Sequence, residues 1–193
     1  MNEIKDPNFV VEAYKKGYFP MAEHRHGDIY WHSPDPRAII PLDKVHIPKN
    51  MRKKLKKDIF SFTINYDFKY VLERCSERTI TWINDDIIDT YTRIHNMGYA
   101  NSVEAWHNDE IVGGLYGVTI GGAFFGESMF NDVSDSAKAA FYFLVERMKS
   151  KDYLLLDSQY INPFTQQLGA VEIPKSLYMI LLRQALEMDR NLE

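Results

Sequence analysis

Apolar residues recur along this chain with two different periods, and the switches between them mark out its elements. Phe9, Val10, Ala13 and Tyr14 have helical spacing, and the run stops at Gly17, ahead of the turn-forming Pro20. Trp31 to Pro41 contains Pro34, Pro36 and Pro41, which predicts an irregular or edge segment rather than a central strand. A break after Pro48 is expected to divide a small N-terminal unit, residues 1–48, from a main domain, residues 49–193. Beyond it the pattern predicts a short basic helix over Asn50–Lys57, then a strand in which Phe60, Phe62 and Ile64 alternate. Helices follow over Phe68–Cys75 and Asn84–Met97; Asp85 and Asp86 suit the start of the second and Gly98 its stop.

Three strands come next, over Asn101–His107, Glu110–Thr119 and Ala123–Phe130, joined by tight turns at Asn108-Asp109 and Gly121-Gly122. A helix is expected over Ser134–Lys149 with Ser134 as its cap, then a strand over Tyr153–Tyr160. A short helix near Pro163–Leu168 and a last one over Ser176–Leu186 complete the series. Helices flanking a largely antiparallel meander make an α+β fold.

Two of the predicted strands carry a carboxylate inside an apolar run: Glu127 in Gly126-Glu127-Ser128-Met129-Phe130, and Asp157 ahead of Ser158-Gln159. An ionised carboxylate in such surroundings is costly unless it is paired, so it marks either a working site or a hydrogen-bonded tie between strands. Side chains alternate along a strand, so Asp157 and Gln159 are expected on one face, Leu156 and Ser158 on the other.

Composition narrows the classes. With 193 residues and 45% hydrophobic content, the chain can bury a core of its own. No apolar run is long enough to span a membrane, the N-terminus lacks a signal-peptide pattern, and the lone Cys75 fits a reducing cytoplasm. One cysteine and six scattered histidines offer no metal-ligand spacing, and His24-Arg25-His26 reads as a solvated loop. The net charge of −4 gives no general attraction to nucleic acid. Seven of the 23 basic residues nevertheless fall between Lys44 and Lys57, a run that suits either contact with a few phosphates or a solvated helix face.

The order of elements resembles the acyl-CoA N-acyltransferase (GNAT-type) fold, in which the fourth and fifth strands splay around the acyl donor. Ala123–Phe130 and Tyr153–Tyr160 would be those strands, with Glu127 and Asp157 on either side of the cleft. That fold normally holds a coenzyme A pyrophosphate on a glycine-rich loop. Here the loop reads Phe130-Asn131-Asp132-Val133-Ser134-Asp135-Ser136-Ala137-Lys138, without glycine and with two aspartates, which speaks against coenzyme A.

A closer resemblance lies in seven motifs in one order. They are Gly17-Tyr18-Phe19-Pro20-Met21, Ser33-Pro34-Asp35-Pro36-Arg37, Thr81-Trp82-Ile83 and Gly113-Gly114-Leu115-Tyr116-Gly117-Val118, then Phe125-Gly126-Glu127-Ser128-Met129-Phe130, Leu156-Asp157-Ser158-Gln159 and Leu168-Gly169-Ala170-Val171-Glu172-Ile173-Pro174. Together they resemble the bacterial leucyl/phenylalanyl-tRNA–protein transferases over residues 9 to 186. Departures are Trp31-His32 where Trp-Trp is frequent, Asn101 for His, and the permuted Ser136-Ala137-Lys138. An upstream Gly-Gly-Asp-Leu signature of longer members is also missing from these residues.

The resemblance implies a cytoplasmic, monomeric enzyme. It would move leucine or phenylalanine (less well methionine) from aminoacyl-tRNA to proteins beginning with Arg or Lys, using neither cofactor nor metal. Asp157, acting through Gln159, would hold the attacking amine, and Glu127 would meet a cationic group of donor or acceptor. Leu115, Phe124, Gly126, Leu144, Met148, Leu156 and Ser158 would form the donor amino-acid pocket. Trp31, Trp82 and Tyr91 would stack on the tRNA end, and Lys49, Arg52, Lys53, Lys54, Lys56 and Lys57 would follow its phosphates. The competing classes are an acetyl-CoA-dependent N-acyltransferase and a non-catalytic RNA-end or peptide-terminus binding module.

Overall fold

The computed structural model describes residues 3–78 and 81–193. Its first part comprises helix α1 (Pro7–Lys15), strands β1 (Phe19–Met21), β2 (Tyr30–His32) and β3 (Arg37–Ile39), helix α2 (Lys49–Lys56), strand β4 (Ser61–Ile64) and helices α3 (Phe68–Ser76) and α4 (Asp85–Asn96). The second part runs through β5 (Ala100–His107), β6 (Glu110–Ile120), β7 (Ala123–Asn131), α5 (Ser136–Ser150), β8 (Leu155–Gln159), α6 (Pro163–Gln167), β9 (Val171–Ile173) and α7 (Lys175–Leu186).

Seven strands form one mixed sheet in the order β4-β5-β6-β7-β8-β3-β9, and β1 pairs with β2 as a separate hairpin. Every pairing in the large sheet is antiparallel except β7 with β8. The period-two pattern gives each face its own core. Tyr116, Val118, Phe125 and Leu155 pack with α1, α3, α4 and α7, while Leu115, Phe124 and Leu156 pack with α2 and α5. The fold is thus α+β, with helices on both faces.

Local chemistry explains the turns. Asn108 and Asp109 have φ of 52° and 62°, the left-handed pair that a two-residue hairpin requires. Asn84 accepts a hydrogen bond from Ile87 N–H and starts α4, and Gly98 (φ 84°) follows its end.

Two expectations are corrected. The proline-rich stretch holds β3, which is bonded on both sides, to β8 and β9. Pro36 and Pro41 bracket this three-residue strand, so neither removes one of its donors. Residues 37–39 therefore belong to the large sheet although they precede Pro48. The second correction concerns α5, which starts at Ser136 rather than on a Ser134 cap. The Ser136 hydroxyl lies 2.8 Å from Val112 O and 2.7 Å from Val133 O, tying the helix start to β6. This approach explains Gly113, where an added Cβ would come within 2.2 Å of Ser136 Oγ.

Candidate active site

The strands β7 and β8 run side by side only as far as Phe125 and Asp157. Just there, β7 carries a bulge: Gly117 faces Gly126 while Tyr116 faces Ser128, leaving Glu127 as the extra residue. Bulges re-aim side chains, and this one turns Glu127 into the opening where the two strands part. Gln159 has φ 61°, so β8 also leaves regular geometry at this point and the expected Asp157–Gln159 alternation breaks.

The Glu127 carboxyl is packed deep, with part of its surface facing the cleft. Its Oε1 accepts the Tyr14 hydroxyl at 2.7 Å and the Gln159 side-chain amide at 3.1 Å. Tyr14 in turn lies 2.7 Å from the buried Tyr91 hydroxyl. Because Tyr14 gives its one proton to Glu127, Tyr91 donates to Tyr14. Burial raises the Glu127 pKa to about 8, the hydrogen bond from Tyr14 opposes the rise, and the Asp157 charge adds to it.

Asp157 sits nearby in a different setting. Arg37 Nε and Nη2 reach its Oδ1 and Oδ2 at 3.0 and 2.7 Å, the Tyr178 hydroxyl donates to Oδ2 at 2.7 Å, and Gln159 N–H donates to Oδ1 at 2.8 Å. Both partners of the ion pair are buried. The Arg37 guanidinium is held between the Phe19 and Tyr178 rings, 4.6 Å from each, and donates to Gly17 O at 3.0 Å. Burial works against the Arg37 charge, but Asp157 more than offsets it and the net shift is upward. Asp157 reaches Gln159 through the backbone, whereas the Gln159 side chain turns to Glu127. A bond from the Asp157 carboxylate to the Gln159 amide, the route expected for a proton, is not present.

The opening has two arms that share Glu127, Ser158, Gln159 and Asn162. Arm one is a cavity of about 220 Å³ whose apolar walls include Leu115, Phe124, Leu144 and Leu156, with Gly126 and Ser158 also on its lining. Arm two, about 150 Å³, is lined by Phe19, Pro20, Met21, Trp82 and Tyr160. Three expected positions fall elsewhere. Met148 is wholly buried in the core beneath α5, one helical turn beyond Leu144. Tyr91 is also wholly buried and presents no face for stacking; its place is under Glu127. Trp31 lies outside both arms, edge-on to Phe9, and donates to Glu3 at 3.1 Å.

On α2, Lys49, Arg52, Lys53, Lys56 and Lys57 are exposed, while Lys54 is half-buried and paired with Asp135 at 2.7 Å. Met51 and Leu168 line one shallow pocket, and Leu168 also lines arm one, so the basic helix lies beside the cleft. Pairing patterns alone could not have found Arg37, Tyr14 and Tyr178. Each reads as an ordinary strand or helix residue, and its partner is distant in sequence. The Arg37 and Tyr14 identities inside apolar stretches were the available signals.

A cleft of this kind has room for an acyl group that carries an apolar side chain, and the family comparisons place the protein among the transferases. Two family models match: leucyl/phenylalanyl-tRNA protein transferase over residues 39–183 and the N-terminal domain of the same enzymes over residues 6–35. The chain belongs to the leucyl/phenylalanyl-tRNA–protein transferase family. A relative of that name from Gloeobacter violaceus is 46% identical over 94% of this chain and 94% of its own length. One from Chlorobaculum tepidum is 44% identical over 92% and 93%. Among solved structures, L-PGS from Bacillus licheniformis gives a TM-score of 0.39 at 13% identity, over 84% of this chain and 48% of that one, too distant to assign a fold.

Proposed function

We propose that this protein moves leucine or phenylalanine, and methionine less well, from aminoacyl-tRNA to the N-terminal amine of proteins that begin with Arg or Lys. The product would enter proteolysis by the N-degron (N-end rule) route. The observation that carries the reading is the convergence of an apolar arm and an aromatic arm on Glu127, Ser158 and Gln159.

An apolar cavity of about 150 Å³ already accommodates a benzene ring, so arm one has room for a leucyl or phenylalanyl side chain. Such a pocket separates side chains differing by a methylene by only ~1–3 kcal/mol, which leaves room for methionine. Met148 supports this arm from behind.

The reaction is aminolysis of an ester. The neutral α-amine attacks the aminoacyl carbonyl carbon and forms the C–N bond as the carbonyl becomes an oxyanion. Collapse breaks the C–O bond to the terminal ribose oxygen. A proton leaves the amine and ends on that oxygen. Once it has attacked, the nitrogen is cationic and far more acidic than a neutral amine, so the ionised form of Glu127, whose pKa burial raises to about 8, can accept its proton. Glu127 takes the amine proton and returns it to the leaving oxygen, with Tyr14 and Gln159 fixing its orientation. Asp157 serves by positioning: its bonds to Arg37, Tyr178 and Gln159 N–H hold the end of β8 in place.

Arm two receives the terminal adenosine, with Trp82 stacking on its base. Among the described residues, Glu127 and Asp157 are the acids at the lining of the two arms, and the Asp157 carboxylate is fully buried against Arg37. Glu127 is therefore the carboxyl available to a cationic acceptor. The exposed cations of α2 follow the acceptor-stem phosphates. The parting of β7 and β8 supports a GNAT-type fold for the acyl gap. Coenzyme A suits this gap poorly, because the turn before α5 carries Asp132 and Asp135, paired with Arg74 and Lys54. No described helix is long and apolar enough to cross a membrane.

The test is transfer of labelled leucine and phenylalanine from charged tRNA to a peptide beginning with Arg, beside an acetylated peptide and a parallel reaction with labelled acetyl-CoA. Label on the basic peptide from tRNA alone is expected. Label from acetyl-CoA alone would reject the reading.

A further inference from the structure

Arm two has a feature that the reaction chemistry does not require. Tyr160, directly after Gln159, lines it together with Trp82 and is 40% exposed. Its hydroxyl lies 3.2 Å from His32 Nδ1, and its ring meets Phe19 edge-on at 5.6 Å. His32 is paired with Phe19 across the β1–β2 hairpin and stacks on its ring at 5.8 Å and 24°. Phe19 is buried, and the Arg37 guanidinium lies 4.6 Å from its ring centre. Tyr160 is thus tied, through His32 and Phe19, to the buried ion pair that anchors β8.

An exposed tyrosine samples several rotamers, and immobilising it on binding costs entropy; a contact that fixes the ring beforehand removes that cost. The chemistry of arm two decides what the ring would meet. Among the described residues its aromatic and apolar walls are Pro20, Met21, Phe19, Trp82 and Tyr160, and its carboxyl, Glu127, lies at the junction with arm one. A cationic side chain would find no counter-charge along those walls, whereas a flat base finds aromatic surface.

We propose that Tyr160 is a second aromatic surface for the terminal base of the donor, beside Trp82, and that His32 is a positioning residue acting through Tyr160. This rests on the assignment of arm two to the terminal adenosine. The two residues bind the donor nucleoside and leave the acceptor and the proton transfers untouched.

Steady-state transfer by the full chain tests this, with aminoacyl-tRNA and an Arg-initiated peptide varied separately. Tyr160→Ala should raise KM for aminoacyl-tRNA about tenfold, as expected for loss of a stacked base, with kcat and the peptide KM unchanged. Tyr160→Phe and His32→Ala should each raise the same KM about threefold, on the scale of one lost hydrogen bond. The double variant should be no worse than either, because both remove one contact. His32→Asn, whose amide can occupy the Nδ1 position, should restore the wild-type KM. A rise in the peptide KM instead, additive effects, or wild-type values throughout would overturn the proposal while leaving the transferase reading intact. Absence of transfer by the wild-type protein would overturn both.

Discussion

Glu127 and Asp157 occupy opposite sides of one opening, yet the protein treats them differently. Asp157 is completely enclosed, and each of its oxygens accepts two hydrogen bonds from Arg37, Tyr178 and the Gln159 backbone. Glu127 stands on a bulge, has one oxygen engaged by Tyr14 and Gln159, and faces the cleft. A carboxylate whose lone pairs are all committed cannot exchange protons with a substrate without dismantling its surroundings. One with a single oxygen bonded among the described residues, and a pKa raised to about 8, is the better candidate for proton exchange. On the proposed reading the two acids are a foundation and a working group, and the difference in their surroundings arises from partners rather than from the strands that carry them.

The largest effect should come from breaking the foundation. Arg37→Ala leaves the Asp157 charge buried without its partner, which should cost about 3–5 kcal/mol in chemical denaturation. An unchanged midpoint would show that Asp157 is not the structural member of the pair.

The working group should reveal itself through pH. Burial holds the Glu127 proton to about pH 8, whereas an unperturbed glutamate releases it near 4.5. The folded state therefore binds more protons than the unfolded chain between those values, and stability contributed by this group falls as pH rises through that window. Glu127→Gln should flatten the decline, read from denaturation midpoints at pH 5 and pH 8. The same decline in the variant would assign it to other groups.

Tyr14→Phe probes the coupling more gently. Its hydroxyl favours the ionised form of Glu127, so its loss should move the rising limb of the turnover–pH profile upward by about one unit. The smallest effect should come from the exposed cations of α2, beside the cleft. Charge reversal at Lys53, Lys56 and Lys57 should raise KM for tRNA and reduce its salt dependence without altering the pH profile. An unchanged salt slope would make α2 a solubility feature.

Much of this architecture was legible in the chain because it follows from local periodicity. The strands around Asn108-Asp109 and Gly121-Gly122 alternate over many residues, and their turns use residues that tolerate left-handed backbone. β3 was not legible as a strand bonded on both sides, since three residues show no period and the flanking prolines argued for an irregular or edge segment. The carboxylates were found because charge inside an apolar run is costly. Arg37, which explains one of them, is 120 positions away from Asp157, and no local rule connects the two. Helical spacing placed Leu144 and Met148 on one face of α5, but only the first reaches the cavity. Tyr91 looked like an aromatic available to a base because its burial against Tyr14 of α1 and Tyr116 of β6 cannot be seen in its own segment.

The division of labour between the two acids is tested most directly by the turnover of Glu127→Gln in leucine transfer from charged tRNA to an Arg-initiated peptide, with both substrates saturating. A fall in kcat of at least about 100-fold, in a protein whose denaturation midpoint at pH 8 is no lower than wild type, is the predicted result. Wild-type kcat in that variant would contradict it and remove Glu127 from the proton path.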